Sequence, residues 1–275
     1  MLGINTNVPS LTAQKNLGSS SASINTSIAR LSSGLRINSA RDDAAGLAIA
    51  TRMSSDIRGS EVAKRNTNDG ISALQIADGA LSTVTDNVQR MRELAVQAAT
   101  GTLTTDDRAN LNAEFTQLAD QIESVTTNTK FNGVDLLTAA AAGTPLSIQT
   151  GSASADKTNV TLVNGEAVST ALNAAGFDLT TAANATSAIT TLDTQLTALN
   201  TGRATLGAGI NRLDAVVANL DTTVTNVSAA RGRIMDADFA KETANLTRTQ
   251  ILQQAGTAML AQANQLPNNV LSLLR

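Results

Sequence analysis

The sequence predicts a mainly α-helical protein, a long antiparallel helical coiled-coil rod with a small β-hairpin region. Apolar residues recur at alternating intervals of three and four over long stretches. The only three prolines, Pro9, Pro145 and Pro267, lie near the two ends and the middle. Since proline ends or kinks a helix, the stretches between them can be continuously helical. Four Phe without Trp or Tyr leave small aliphatic residues to fill a thin bundle.

Three series of apolar residues define the predicted helices. Spacing of this kind places apolar side chains on one helix face and is typical of coiled coils. The first series predicts a helix over about 60–99, and only Arg203 interrupts the last. The series are Leu74, Ala77, Leu81, Val84, Val88, Met91, Ala95 and Ala98; Leu111, Phe115, Leu118, Ile122 and Val125; and Ile189, Leu192, Leu196, Leu199, Leu206, Ile210, Leu213, Val217, Leu220, Val224 and Val227.

Local signals indicate where the helices begin and end. Residues 39–42 (SARD) and 104–107 (TTDD) have the pattern of capping boxes. Residues 100–102 (TGT) are expected to end the long helix, and 34–39 to form a joint after the first segment. In the middle, Asn132-Gly133 is a turn signal, and 146–149 and 159–163 are β-prone. Residues 165–185 are ambiguous.

The composition argues against an enzyme. The chain has no histidine and no cysteine, which removes the commonest general base, the commonest metal ligand and all thiol chemistry. The Asp42-Asp43 and Asp106-Asp107 pairs are interpreted as helix starts, and residues 202–209 lack the lysine of a phosphate loop. We therefore expect no catalytic, cofactor-binding or metal-binding residues. A net charge of −3 argues against nucleic-acid binding, and no apolar run predicts membrane insertion.

The two terminal segments are helix-patterned and almost uncharged. Residues 1–29 contain one charged side chain, Lys15, and residues 251–274 contain none. A solitary amphipathic helix normally keeps a charged face in water. We therefore expect these segments to lie side by side and to be buried against copies of the same chain. In a lone subunit they are expected to be disordered, because they cannot recover the entropy cost of ordering.

Residues 90–94 (RMREL) are a candidate surface. Met91 belongs to the apolar series, whereas Arg90, Glu93 and Leu94 fall outside it and are expected at the surface or its flank. Such a surface is either an ordinary solvated helix face or a contact site for a partner.

Short motifs at both ends carry a family resemblance. The first set is INTN at 4–7, RLSSGLRINSA at 30–40, DDAAGLAI at 42–49, RNTNDGIS at 65–72 and QRMRELAVQA at 89–98. The second is NRL at 211–213, RIMDAD at 233–238 and AMLAQAN at 258–264. Together they resemble the N- and C-terminal signatures of bacterial flagellin. The resemblance extends over most of residues 1–140 and 186–275.

This resemblance implies a structural subunit that polymerises into the flagellar filament used for motility. Residues 1–40 and 236–275 are then the two parts of an inner-tube domain. Residues 41–235 form the helical rod domain, with a small β region near 131–185 and no large outer domain. The residues expected to pack between subunits in the tube are Leu17, Ile24, Ile28, Leu31, Leu252, Met259, Leu266 and Leu273.

The resemblance also implies partners and a location. The family is exported unfolded through the flagellar type III apparatus and lies outside the cell. Expected partners are further copies of the chain, an export chaperone, the filament cap and hook–filament junction proteins. A host innate immune receptor is a further possible partner, with Arg90, Leu94 and Glu114 at the matching positions.

Three alternatives share parts of this pattern. A flagellar hook–filament junction protein has similar ends but does not polymerise by itself at high concentration. A surface glycan-binding flagellin homologue would need aromatic side chains for sugar stacking, which are scarce here. A signalling coiled coil of chemoreceptor type would need a membrane span.

Overall fold

The computed structural model describes residues 6–174 and 177–273, with side chains described through Gln265. The helices are α1 (Val8–Ser33), α2 (Ala44–Ala98), α3 (Thr105–Asn128), α4 (Ala139–Gly143), α5 (Glu166–Leu172), α6 (Ala182–Met235) and α7 (Phe239–Leu273). The strands are β1 (Lys130–Phe131), β2 (Val134–Asp135), β3 (Leu146–Gln149) and β4 (Lys157–Val160). The prediction of a mainly α fold with a small β-hairpin region is confirmed.

The chain forms two compact units. One consists of Met1–Ile57 and Thr225–Arg275, and the other of Arg58–Val224. The first contains the paired helices α1 and α7. The second contains most of α2 and α6, all of α3 to α5 and both β-hairpins.

The core of the Arg58–Val224 unit is the apolar series read from the sequence. All eight members of the series on α2, from Leu74 to Ala98, are fully buried. On α6 the leucines at heptad intervals, from Leu192 to Leu220, are buried, and the residues between them are partly buried. Phe115 of α3 completes this core, and its ring centroid lies 5.3 Å from that of Phe177. The helical periodicity therefore identified the core correctly.

The start of α2 lies where the Asp42-Asp43 pair predicts a helix start, and earlier than the apolar series alone predicts. The helix begins at Ala44, well before residue 60, and its N-terminal N–H groups are capped by Asp43, whose Oδ1 accepts a 2.8 Å hydrogen bond from Gly46 N. Asp42 instead accepts bonds from Ser39 N and Ser39 Oγ, at 2.9 and 3.0 Å. The prediction of a capping box at 39–42 is therefore wrong, because these residues form a separate hydrogen-bonded turn before the helix.

The predicted helix start at 104–107 and the predicted turn at Asn132-Gly133 are both confirmed. Thr104 and Asp107 form the predicted capping box at the start of α3. Asn132 and Gly133 have positive φ of 48° and 81° in the turn between β1 and β2. The ambiguous segment contains the short helix α5.

The β3–β4 hairpin lies close to α2 and α6. Its strands pair antiparallel, with Leu146 opposite Val160. A Cβ atom on Gly70 of α2 would overlap Ile148 Cδ1, and a Cβ on Gly209 of α6 would lie 2.9 Å from Val160 Cγ1. Glycine at these two helix positions therefore lets the hairpin approach the helix backbone.

Candidate assembly surface

Helices α1 and α7 form an antiparallel pair. At one end, Asn7 Nδ2 donates to Ala263 O and Ser10 Oγ donates to Asn264 Oδ1, each at 2.8 Å. At the other end, Ser27 Oγ donates to Glu242 Oε1 at 2.6 Å. The two terminal segments thus lie side by side, as the sequence predicted.

A short joint holds the base of this pair. Gly34 ends α1 with φ of 71°, a left-handed conformation that suits glycine. Its carbonyl accepts a 2.9 Å bond from Ala237 N, and Arg36 N donates to Met235 O at 2.6 Å. The end of α1 and the start of α7 are therefore tied together by backbone hydrogen bonds.

The pair leaves large apolar side chains exposed. Met259, Ile251 and Val8 are 64%, 60% and 60% exposed. The other exposed apolar side chains on these two helices are Leu11, Ile28, Leu252 and Phe239. Among the described side chains of α7, the buried apolar residue is Ala263. Exposed apolar patches of this kind mark interaction surfaces.

The residues predicted to pack between subunits occupy two kinds of position. Ile28, Leu252 and Met259 are exposed. Leu17, Ile24 and Leu31 are partly buried between the helices. Leu266 and Leu273 lie outside the residues whose side chains are described. None of the described six is enclosed by this chain alone.

A groove of about 730 Å³ runs along one face of the pair. Its lining includes small residues of both helices, such as Ala13 and Gly256. The lining includes Val8, Pro9, Leu17, Leu252, Gly256 and Met259. The lining carries no charged side chain, so the groove is suited to an apolar helix face.

Two of the three residues predicted to contact a receptor, Arg90 and Glu114, lie together in the structure. Arg90 Nε donates to Glu114 Oε1 and Arg90 Nη1 to Glu93 Oε2, both at 2.9 Å. These bonds, the one to Glu114 foremost, raise the pKa of Arg90 above its ordinary value. Arg90 and Glu114 are thus brought together on an exposed surface of α2 and α3.

Leu94 does not share this surface. It is 1% exposed and belongs to the core of the Arg58–Val224 unit. The expectation that it lies at the surface or its flank is wrong, because α3 and α6 widen the buried face of α2 beyond a two-position stripe.

Ion pairs also connect α2 to α6, among them Lys64–Asp221. Arg203, which interrupts the apolar series, donates from Nε to Asp78 Oδ1 at 2.9 Å. Arg92 Nε donates to Asp193 Oδ1 at 2.6 Å, and this bond lowers the pKa of Asp193. The charged residue in the series therefore pairs at the edge of the core rather than within it.

Sequence reasoning missed Glu242, which is 8% exposed between α1 and α7. Glu242 is one of only three charged residues in α7, with Lys241 and Arg248, and nothing in the local sequence distinguishes it as the buried one. The described residues include no cluster of three or more acidic side chains suited to a metal ion. Within the described chain, no helix is both long and apolar enough to cross a membrane.

Paired terminal helices with an exposed apolar face define a class of self-associating helical subunits. Comparisons with known proteins identify the family. The model of the bacterial flagellin N-terminal helical region matches residues 4–142, and that of the C-terminal helical region matches 189–274. A flagellin of Halalkalibacterium halodurans is 47% identical over 272 residues, covering 99% of each chain. A flagellin of Xenorhabdus nematophila is 42% identical over 313 residues, again covering 99% of each.

Solved structures agree with this result. The crystal structure of Bacillus cereus flagellin superposes with a TM-score of 0.52 at 36% identity, covering 61% of this chain and 94% of that one. A flagellar hook-associated protein of Vibrio parahaemolyticus has the same fold, with a TM-score of 0.59 at 15% identity, covering 71% of this chain and 100% of that one.

This chain belongs to the bacterial flagellin family. It is a structural subunit of the extracellular flagellar filament that serves motility. Its similarity to flagellins extends along nearly the whole length of the chain.

Proposed function

We propose that the α1–α7 pair is the part of the subunit that drives polymerisation. In this proposal, residues 1–40 and 236–275 line an inner tube, and residues 41–235 surround it. The observation that carries the proposal is the exposed apolar face, on which Ile251 and Met259 are 60% and 64% exposed. Neighbouring copies would remove this face from water.

The energetics predict that the ends order only on assembly. Ordering the backbone costs about 1–2 kcal/mol per residue, and apolar burial returns about 25 cal/mol for each Å² removed from water. In a single subunit, Leu252 and Met259 remain more than half exposed, so little of that cost is recovered. A filament would bury them and recover the remainder. The expectation that a lone subunit has disordered ends therefore stays a prediction.

A truncation tests the pairing directly. Removing Ile251–Arg275 should leave a helical, soluble subunit, because the core of the Arg58–Val224 unit is intact. The truncated chain should not extend filament seeds in electron micrographs. Normal filaments from it would refute the proposal.

A point substitution gives a matched control. M259E places a carboxylate on the exposed apolar face, and burying it without a partner is costly. M259L keeps the apolar contact and nearly the same volume. We expect M259L to extend seeds at close to the wild-type rate and M259E to fail.

The further partners follow from the family. We propose that the subunit is exported through the flagellar type III apparatus with an export chaperone. It then assembles between a hook–filament junction protein and a filament cap. Co-purification of the full chain with each candidate partner tests these contacts one by one.

We also propose that the surface around Arg90 and Glu114 contacts a host innate immune receptor. The 2.9 Å ion pair between them supports one shared, exposed site. Leu94 supports this surface from the core rather than touching a partner. Receptor activation by R90A and E114A should fall while the subunit remains folded; unchanged activation by both variants would remove the proposal.

A further inference from the structure

Glu242 is a buried carboxylate in the α1–α7 interface. It is 8% exposed, and its partner Ser27 is 4% exposed. Ser27 Oγ donates to Glu242 Oε1 at 2.6 Å, and Arg30 Nη1 lies 3.8 Å from Glu242 Oε2. Arg30 Nε is also buried and has no hydrogen-bond partner among the described residues. These three side chains form a polar cluster between two otherwise weakly charged helices.

Between the hydrogen bonds at its two ends, the small-residue middle of the interface selects the register weakly. Residues 18–23 of α1 read GSSSAS, and residues 255–258 of α7 read AGTA. Small side chains interdigitate with few shape constraints, so a shift along the helices costs little packing. A single buried polar residue is a well-attested way to specify register between helices.

Only the observed register satisfies Glu242 fully. A shift of one heptad places it opposite Ser20 or Gly34, and a shift of one turn places it opposite Ser23 or Leu31. At none of these positions does an arginine follow three residues later, as Arg30 follows Ser27. Arg30 and Lys15 are the only charged side chains of α1. A shift toward the N-terminus of α1 would therefore bury the carboxylate without a cation, which is strongly unfavourable. A shift the other way moves it toward Gly34, where α1 ends.

We propose that Glu242, held by Ser27 and Arg30, fixes the register of α7 against α1. It thereby aligns the apolar side chains of both helices into one face for the next subunit. Glu242 is a positioning residue for assembly, and this role rests on the proposed polymerisation through α1 and α7. The apolar residues supply the contact, and the polar cluster selects the one alignment in which they match.

Disulfide trapping measures the register directly, because the chain has no cysteine. The native pair is L17C/G256C, since Leu17 Cδ1 lies 3.6 Å from the position of a Cβ on Gly256. The shifted pairs are L17C/T249C and L17C/A263C, one heptad away in either direction. A heptad displaces a residue by about 10 Å, beyond the Cα separation of roughly 7 Å that a disulfide tolerates. Each full-length double variant is added to wild-type filament seeds and oxidised.

With Glu242 intact, we expect crosslinking of the native pair alone. With E242L, we expect crosslinking of the shifted pairs to rise about tenfold, because no buried charge opposes the shift. E242Q keeps the size of the side chain and can still accept from Ser27, so an intermediate rise is expected. Filaments of E242L or E242Q that crosslink only the native pair, at the wild-type rate, overturn the inference.

A further variant is needed if the Glu242 variants do not assemble. If neither E242L nor E242Q adds to seeds, the charge swap R30E/E242R decides: restored incorporation supports the inference, and continued exclusion overturns it. If the chain lacking Ile251–Arg275 extends seeds normally, the proposed polymerisation through α1 and α7 fails instead.

Discussion

Two regions of this molecule use the same apolar periodicity with opposite results. In the Arg58–Val224 unit, Leu74, Leu81 and Val88 of α2 are completely buried. In the α1–α7 pair, Ile251 and Met259 are 60% and 64% exposed. The first region buries its apolar side chains within one chain, whereas the second leaves large apolar side chains exposed to solvent. Helical spacing therefore identifies a face that will be buried but does not say whether the partner is the same chain or another copy.

The largest expected effect comes from truncating one apolar side chain in each region and comparing the loss of stability. L81A should lower the free energy of unfolding by about 2–5 kcal/mol, because it opens a cavity in a closed core. M259A should change it by less than about 0.5 kcal/mol and yet slow filament elongation. Urea denaturation followed by circular dichroism measures the first quantity, and seeded growth the second. Equal destabilisation by both would erase the distinction.

A smaller effect tests how closely the Arg58–Val224 unit is packed. In G70A the new methyl overlaps Ile148 Cδ1, whereas a methyl on Gly79 of the same helix meets nothing within 4 Å. G70A should destabilise by about 1–3 kcal/mol through overpacking. G79A should stabilise by about 1 kcal/mol, since alanine favours helix. Thermal unfolding compares the pair; stabilisation by G70A would show that the hairpin does not lie close to α2.

The stability of the Arg58–Val224 unit should also depend on pH. Hydrogen bonds from the Thr180 and Thr104 hydroxyls lower the pKa of Asp178 and Asp107 respectively. A carboxyl whose folded pKa is depressed stabilises the fold above its unfolded pKa. That contribution is lost as the pH falls through the folded pKa.

The melting temperature should therefore decrease as the pH falls below about 4. The double variant D107N/D178N should show a weaker decrease than the wild type, because it lacks the two carboxyls. If the double variant showed the same pH dependence of the melting temperature as the wild type, the hydrogen bonds of these two carboxyls would not stabilise the fold.

The smallest effect is expected at the exposed ion pair. Arg90 and Glu114 have side chains 50% and 47% exposed, and solvent screens such pairs strongly. R90A should leave the melting temperature unchanged within error, in contrast to truncation of the neighbouring buried Leu94. A large loss of stability in R90A would show that this pair supports the packing of α3.

The sequence predicted the fold well where one helix face decides the outcome. The α2 series is buried as expected, and the Thr104–Asp107 capping box forms. The sequence-based prediction was wrong where contacts with other helices or a neighbouring turn determine the position of a side chain. Leu94 is buried because two other helices flank α2, and Ser39 turns toward Asp42 rather than capping a helix.

The candidate site shows the same limit. Low charge at both ends predicted that the termini pair, but not the contact between Ser27 and Glu242, which lie 215 residues apart. Each helix alone contains many similar small residues, so no local pattern specifies the register. Only the paired helices show that the carboxylate is enclosed.

Amide hydrogen exchange tests the central claim most directly, namely that α1 and α7 order only when copies bury them. In the free subunit we expect strong protection over residues 74–95 of α2 and little over residues 17–31 of α1. In filaments, both segments should be protected. Strong protection of residues 17–31 in the free subunit would contradict the account.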